Sequence, residues 1–391
     1  MAKTIYLFGA GINRGVKDWN GLVPPLATDF FKQVFQSDKY NSEHYLPRIK
    51  DLTDYIRKYW KLSIDQLRVV PFDIELCYTM IQLQSLEASL KNNNDKLIYL
   101  ANVEYQLTAI LAEFLSEFEH FTFTSDSFSN LGQIIFKEKA TVITFNYDTL
   151  LEASIGSASG VNPNRPESLK GAPPENGAVS DEELSYSHLK WNSPLAYGIE
   201  FDEVQLQRAG VSTFAPRERF YKHPDNKMYS NQILKLHGSL NWFVYTGISR
   251  FLQIPNQEAT ISERKGNSIL YRGHWWFGQP PELNGEIIVP IIVTPVLHKE
   301  LHKNPIIHQI WENAKKELAN CERLIIGGYS FPPTDFNTKR LFLESFENHK
   351  LKEILVINPD TSVIRTVKEL CHFDKPVLSC EDLDEFIKHK R

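Results

Sequence analysis

Cysteine is scarce in this chain of 391 residues: there are four, at 77, 321, 371 and 380, with none between 77 and 321 and no Cys-x-x-Cys pair. A disulfide framework or a structural zinc ribbon needs more of them at closer spacing, so neither organises the fold. Long apolar runs are missing too, and none approaches the ~20 residues that a membrane span requires. The opening MAKTIYLFGAG has one lysine and too short an apolar stretch before its glycines to read as a secretory signal. An excess of positive charge is also absent. Lys and Arg number 43 against 48 Asp and Glu, a formal balance of −5, which argues against a general nucleic-acid binder. No Gly-x-x-x-x-Gly-Lys-Ser/Thr occurs, which argues against a P-loop NTPase. These absences together predict a cytoplasmic protein.

What is present is enough apolar material for a core: 42% hydrophobic and 12% aromatic residues. Residues 4–8 (TIYLF) form a β-rich run ending in Gly9-Ala10-Gly11, the pattern of a buried strand delivering a tight turn. The period then changes. Leu26, Phe30, Phe31, Val34 and Phe35 recur at helical spacing, as does the longer stripe from Leu100 to Phe118. Residues 26–135 therefore read as a helical block between the first strand and the second at 140–145. From 156 to 230 there are seven prolines and six glycines, which predicts long loops with short pieces of structure. Strands are expected again at 233–236, 287–293, 323–326 and 353–357, with helices at 306–318, 334–346 and beyond 360. Buried strands alternating with amphipathic helices predict an α/β fold: a Rossmann-like, doubly wound and mainly parallel sheet carrying a helical and a loop-rich insertion.

The best strands each end in a small or polar cluster: Gly9-Ala10-Gly11, Asn146-Tyr147-Asp148, His237-Gly238-Ser239 and Gly328-Tyr329-Ser330, with Asn358 after a fifth. In open α/β sheets the ligand crevice lies at the carboxyl ends of the strands, so these clusters are expected to converge. The glycines suit a close backbone approach to a pyrophosphate. Arg14 stands where the dehydrogenase fingerprint would place its third glycine, and the acidic partner ~20 residues on is missing, which disfavours hydride transfer. Read singly, Asn146 and Asp148 also fit a turn and a helix cap. His298, Glu300 and His302 are not in His-Glu-x-x-His order, so no metal is predicted there. The aromatic run at 271–277 reads as packing or a lid, and Arg217, Arg219, Lys222 and Lys227 as a solvated loop.

Five segments occur in order: GAGIN at 9–13, TFNYD at 144–148, KLHGS at 235–239, GGYSFP at 327–332 and INPD at 357–360. The series resembles the sirtuin superfamily, specifically its bacterial zinc-free branch linked to NAD+ depletion during phage defence. The helical block and the proline-rich insert lie outside the resemblance, which has Asn13 where ordinary sirtuins carry serine. It implies one NAD-binding domain over 1–391, with insertions at 26–135 and 156–230. It further implies that Gly9, Ala10, Gly11 and Asn13 hold the dinucleotide with Gly328, Ser330 and Asn358. Asp148 would take the nicotinamide carboxamide, Asn146 would position a water or the nicotinamide ribose, and His237 would be the general base.

Protein deacylases of this superfamily carry a four-cysteine zinc module shortly after the His-Gly step, where this chain has no cysteine. The expected acceptor is therefore water, and the expected activity NAD+ glycohydrolysis serving antiphage defence. The alternatives are a sirtuin-type deacylase or ADP-ribosyltransferase, and a non-catalytic NAD+ or ADP-ribose sensor. The resemblance also implies control by assembly: a homo-oligomer, with a HerA-type ATPase as a possible partner, and with the helical block as the natural contact surface.

Overall fold

The computed structural model describes residues 3–390 except 19–20, 119–120, 123–124, 159–196, 209–210, 217–231, 250–259, 262–264, 273–281, 284–285, 294–303, 333–334 and 349. The strands are β1 (Thr4–Phe8), β2 (Thr141–Thr144), β3 (Glu203–Arg208), β4 (Val211–Pro216), β5 (Ile233–Lys235), β6 (Gly238–Ser249), β7 (Thr260–Ile261), β8 (Ser268–Arg272), β9 (Glu282–Leu283), β10 (Glu286–Ile292), β11 (Arg323–Gly327), β12 (Glu353–Ile357) and β13 (Leu378–Cys380). Helices α1 (Phe30–Gln36), α2 (Lys50–Trp60), α3 (Ile64–Leu67), α4 (Ile74–Leu90), α5 (Asn94–Ser116) and α6 (Asp126–Glu138) lie between β1 and β2. α7 (Leu150–Ala158) follows β2, and α8 (Pro305–Ala319), α9 (Phe336–Phe346), α10 (Ser362–Leu370) and α11 (Leu383–Lys390) belong to the C-terminal third.

Six strands form a wholly parallel sheet in the order β13-β12-β11-β1-β2-β5. Numbered by their succession within this sheet, they run 6-5-4-1-2-3, which is the doubly wound Rossmann order. The central strands are buried along their length, the burial that a parallel sheet covered on both faces demands. The chain thus has a Rossmann-type α/β fold, and the order reverses between β1 and β11. That switch point is where such sheets bind ligands.

The helix starts follow local chemistry. Asp73 caps α4 by accepting the Glu75 N–H, and Asn304 caps α8 through the N–H groups of Ile306 and Ile307, with Pro305 at the first helical position. Asp335 caps α9, accepting from the Thr338 N–H. The first helix begins at Phe30, four residues later than the apolar period from Leu26 predicts. Buried side chains of the helical block, such as Phe31, Tyr55 and Phe114, belong to the same apolar core as Ile5, Leu7 and Ile326 of the sheet.

A second sheet, β4-β3-β8-β6-β10-β9 with β7 beside β6, is mostly antiparallel. The sequence reading foresees only its β10. β3 and β4 occupy part of the 156–230 insert, most of which lies outside the described residues. His298, His302, the run from Gly273 to Phe277 and the basic positions 217, 219, 222 and 227 lie outside them as well. Among the described residues all four cysteines are free and buried, no cluster of His, Cys, Asp and Glu is placed to hold a metal ion, and no helix is long and apolar enough to cross a membrane.

Candidate active site

At the switch point the turn after β1 and the turn after β11 meet backbone to backbone. The Gly9 and Gly11 N–H groups donate to the carbonyls of Gly327 and Gly328 at 3.0 and 2.9 Å. Both glycine amides are thereby committed within the protein. Ala10 is exposed at the tip of the 3-10 turn Ala10–Gly15. Gly328 has φ +61°, and a Cβ there would lie 2.0 Å from the Ile12 nitrogen. Neither the conformation nor the space admits another residue. Gly328→Ala is expected to destabilise the fold by more than ~2 kcal/mol, the left-handed penalty plus a backbone clash. Urea unfolding measures it; a loss of a few tenths would refute the contact.

β2 and β5 pair in parallel with Thr144 opposite Lys235, and the Leu236 N–H extends the ladder to the Thr144 carbonyl at 2.9 Å. Asn146 and His237 each stand two residues beyond that pair, at neighbouring strand ends. Both loops are zipped together. The Tyr147 carbonyl accepts from the Leu240 N–H, and the Tyr147 hydroxyl donates to the Val293 carbonyl at 2.8 Å. Gly238 follows His237 at φ +79°, where a Cβ would meet the Ile291 carbonyl oxygen at 2.0 Å. This explains why glycine must succeed the histidine.

Asn13, Asn146 and Asp148 line one small cleft with Thr144, Glu152 and Lys235, and Phe8, Ile12 and Leu151 form its apolar side. The Asn13 side-chain amide donates to Asp148 Oδ2 at 2.7 Å, and Asp148 Oδ1 accepts the Leu150 N–H at the start of α7. Burial pushes the Asp148 carboxyl above the usual carboxylate range; the Lys235 ammonium opposes this and Glu152 adds to it. Asn146 donates its side-chain amide to the Gly9 carbonyl at 3.2 Å, tying the β1 turn to the β2 turn.

His237 is buried but is not among the residues lining that cleft. Its ring packs edge-on against Phe145, with 5.1 Å between centroids, and Phe145 stacks on Tyr329 at 4.1 Å. Ser330 is exposed beyond this row. Asn358 holds the turn after β12, donating to the Tyr329 carbonyl and accepting from the Asp360 N–H. The structure therefore joins Asn13, Asn146 and Asp148 in one cleft and sets His237 on the adjoining strand end, with Gly328, Ser330 and Asn358 across the switch point.

Sequence reasoning missed the charged floor of the cleft. Lys235, 1% exposed, pairs at 3.0 Å with Glu152, 6% exposed, and also donates to the Asp148 carbonyl oxygen. Glu152 Oε1 accepts the Tyr197 hydroxyl at 2.9 Å, whereas Oε2 has no hydrogen-bond partner in its buried position. A lysine inside the apolar run ILKL was the available signal.

No family model and no curated protein matches the chain. Solved structures of Sir2 homologues do match. One, a mutant complexed with ADP-ribose, is 12% identical over 99% of this chain and 92% of that one, with a TM-score of 0.39. A Sir2 homologue complexed with NAD is 12% identical over 95% and 89%, with a TM-score of 0.37. Sir2 bound to an inhibitor, 2'-O-acetyl-ADP-ribose and a deacetylated peptide is 11% identical over 99% and 91%, with a TM-score of 0.33. At these scores the fold assignment rests on the strand order of the first sheet instead.

Proposed function

We propose that the chain cleaves the nicotinamide–ribose bond of NAD+ with water as acceptor: NAD+ + H2O → ADP-ribose + nicotinamide + H+. The observation that carries the reading is one cleft, at the carboxyl edge of a doubly wound sheet, shared by Asn13, Asn146 and Asp148, with His237 on the adjoining strand end. Asp148 would accept from the carboxamide N–H of the nicotinamide. Asn146 would orient the water, and His237 would accept its proton as positive charge develops at the sugar carbon. In support of water over an acyl-lysine peptide, no cysteine follows His237-Gly238 until Cys321, whereas deacylases of the resembled superfamily carry their zinc module shortly after that step. A role as an antiphage effector, a homo-oligomeric state and a HerA-type ATPase partner belong to the same proposal and rest on the sequence resemblance.

Incubating the purified chain with NAD+, with and without an acetyl-lysine peptide, separates the readings. Nicotinamide release without peptide supports hydrolysis. Release only with peptide would assign a deacylase or transferase, and ligand binding without turnover a sensor.

A further inference from the structure

The buried ion pair of the cleft has one oxygen left over. Asp148 and Glu152 both line the cleft with Lys235, and Glu152 is near enough to raise the proton affinity of the Asp148 carboxyl. Each oxygen of Asp148 already accepts a protein donor, one from the Asn13 side chain and one from the Leu150 N–H. Glu152 is held on one side only. Its Oε1 accepts the Lys235 ammonium at 3.0 Å and the Tyr197 hydroxyl at 2.9 Å, and that hydroxyl accepts in turn from the Asn241 side-chain amide at 3.2 Å. Oε2 has no donor among the described residues, although the side chain is only 6% exposed. A buried carboxylate oxygen without a donor is costly, and native proteins keep one where another group completes it.

The completing group must bring a hydrogen-bond donor into the cleft, and it must not be an anion. Two carboxylates share one ammonium there, and that ammonium is already paired. A primary amide meets both conditions, having two N–H donors in one plane and no net charge. The corresponding carboxylic acid, ionised at neutral pH, presents a negative charge and only acceptors. We propose that Glu152 Oε2 accepts the second N–H of the nicotinamide carboxamide, so that Glu152 and Asp148 together select the amide and exclude its acid. Lys235 and Tyr197, by holding Oε1, fix where Oε2 points. The inference rests on the NAD+ reading and adds to it a residue that sets substrate specificity.

The test compares three dinucleotides by calorimetry on the full chain, in the His237→Ala background so that NAD+ outlasts the titration. They are NAD+, its acetylpyridine analogue, which keeps the carbonyl and has no N–H, and its nicotinic acid analogue, which carries a carboxylate. With Glu152 present, NAD+ should bind ~10–100-fold more tightly than either analogue, the usual effect of a hydrogen bond to a charged group. Glu152→Gln leaves the Lys235 ammonium without its carboxylate, so the preference for NAD+ over the acid analogue should fall ~10-fold or more. Adding Glu152→Leu and Lys235→Met together removes acceptor and charge while stranding neither, and keeps the test alive if Glu152→Gln does not fold. In that variant the preference for NAD+ over the acetylpyridine analogue should fall by a similar factor. A purely structural role would lower all three affinities together and leave their ratios unmoved. Ratios unchanged in the folded variants, with NAD+ still bound, would overturn this inference alone and assign Oε2 to a buried water. A parent chain that binds none of the three would overturn the NAD+ reading and this inference with it.

Discussion

His237→Ala is expected to slow NAD+ cleavage by ~10²–10⁴-fold, the usual contribution of a positioned general base. The loss should fall on kcat more than on KM, because a residue that accepts a proton contributes mainly in the transition state. His237 carries no lining position in the cleft that holds Asn13 and Asp148, so ligand affinity should survive its removal. A steady-state comparison of the two parameters checks this, together with the pH profile. The acidic limb of kcat should vanish in the variant if the imidazole must be neutral to accept the proton. Asn146→Ala should behave differently. Its amide also ties the Gly9 carbonyl to the β2 turn at 3.2 Å, so KM and kcat should change together. An unchanged kcat in His237→Ala would remove the histidine from the chemistry and leave the fold reading intact.

Much of this arrangement was legible in the chain because parallel strands, buried on both faces, appear as unbroken apolar runs. TIYLF, ATVITF and EILVI each stand out for that reason, and the small or polar residues that follow each run mark the ligand edge. What the runs cannot show is which strands are neighbours. β2 and β5 adjoin although 88 residues separate their ends at Thr144 and Ile233 by number, and only that pairing brings Asn146 beside His237. The second sheet was missed for another reason. EVQLQR over Glu203–Arg208 alternates apolar and polar residues with period two, the half-buried strand pattern, but it sits amid prolines and glycines that signal loops. The Gly9–Gly11 turn, expected as a phosphate cradle, is a packing device in the structure, since the Gly9 and Gly11 amides donate to the carbonyls of Gly327 and Gly328. A glycine motif alone cannot distinguish these uses.

Lys235→Met should produce the larger loss of stability, ~3–5 kcal/mol, because it strands a buried carboxylate without its cation. Lys235 and Glu152 are both nearly inaccessible and lie 3.0 Å apart, so solvent cannot replace the lost charge. The same change removes the cation that lowers the Asp148 pKa, leaving the backbone amides of Leu150 and Asp148 alone to oppose burial and Glu152, so the pKa rises further. The sign follows from linkage. A carboxyl whose folded pKa lies above its unfolded value contributes stability that is complete below the unfolded pKa and is lost as pH rises through the folded one. The deficit of Lys235→Met should therefore be smallest in acid and widen toward neutral pH, and the wild type should show a weaker version of the same slope. Neutralising the partner supplies the control. Adding Glu152→Gln to Lys235→Met keeps an acceptor for the Tyr197 hydroxyl while abolishing the stranded charge, so the double variant should recover much of the loss. Urea unfolding across pH for the four proteins of this cycle measures the coupling directly. If the double variant is no more stable than Lys235→Met, the lysine acts through packing of its aliphatic stem, and the cleft floor is not held by charge.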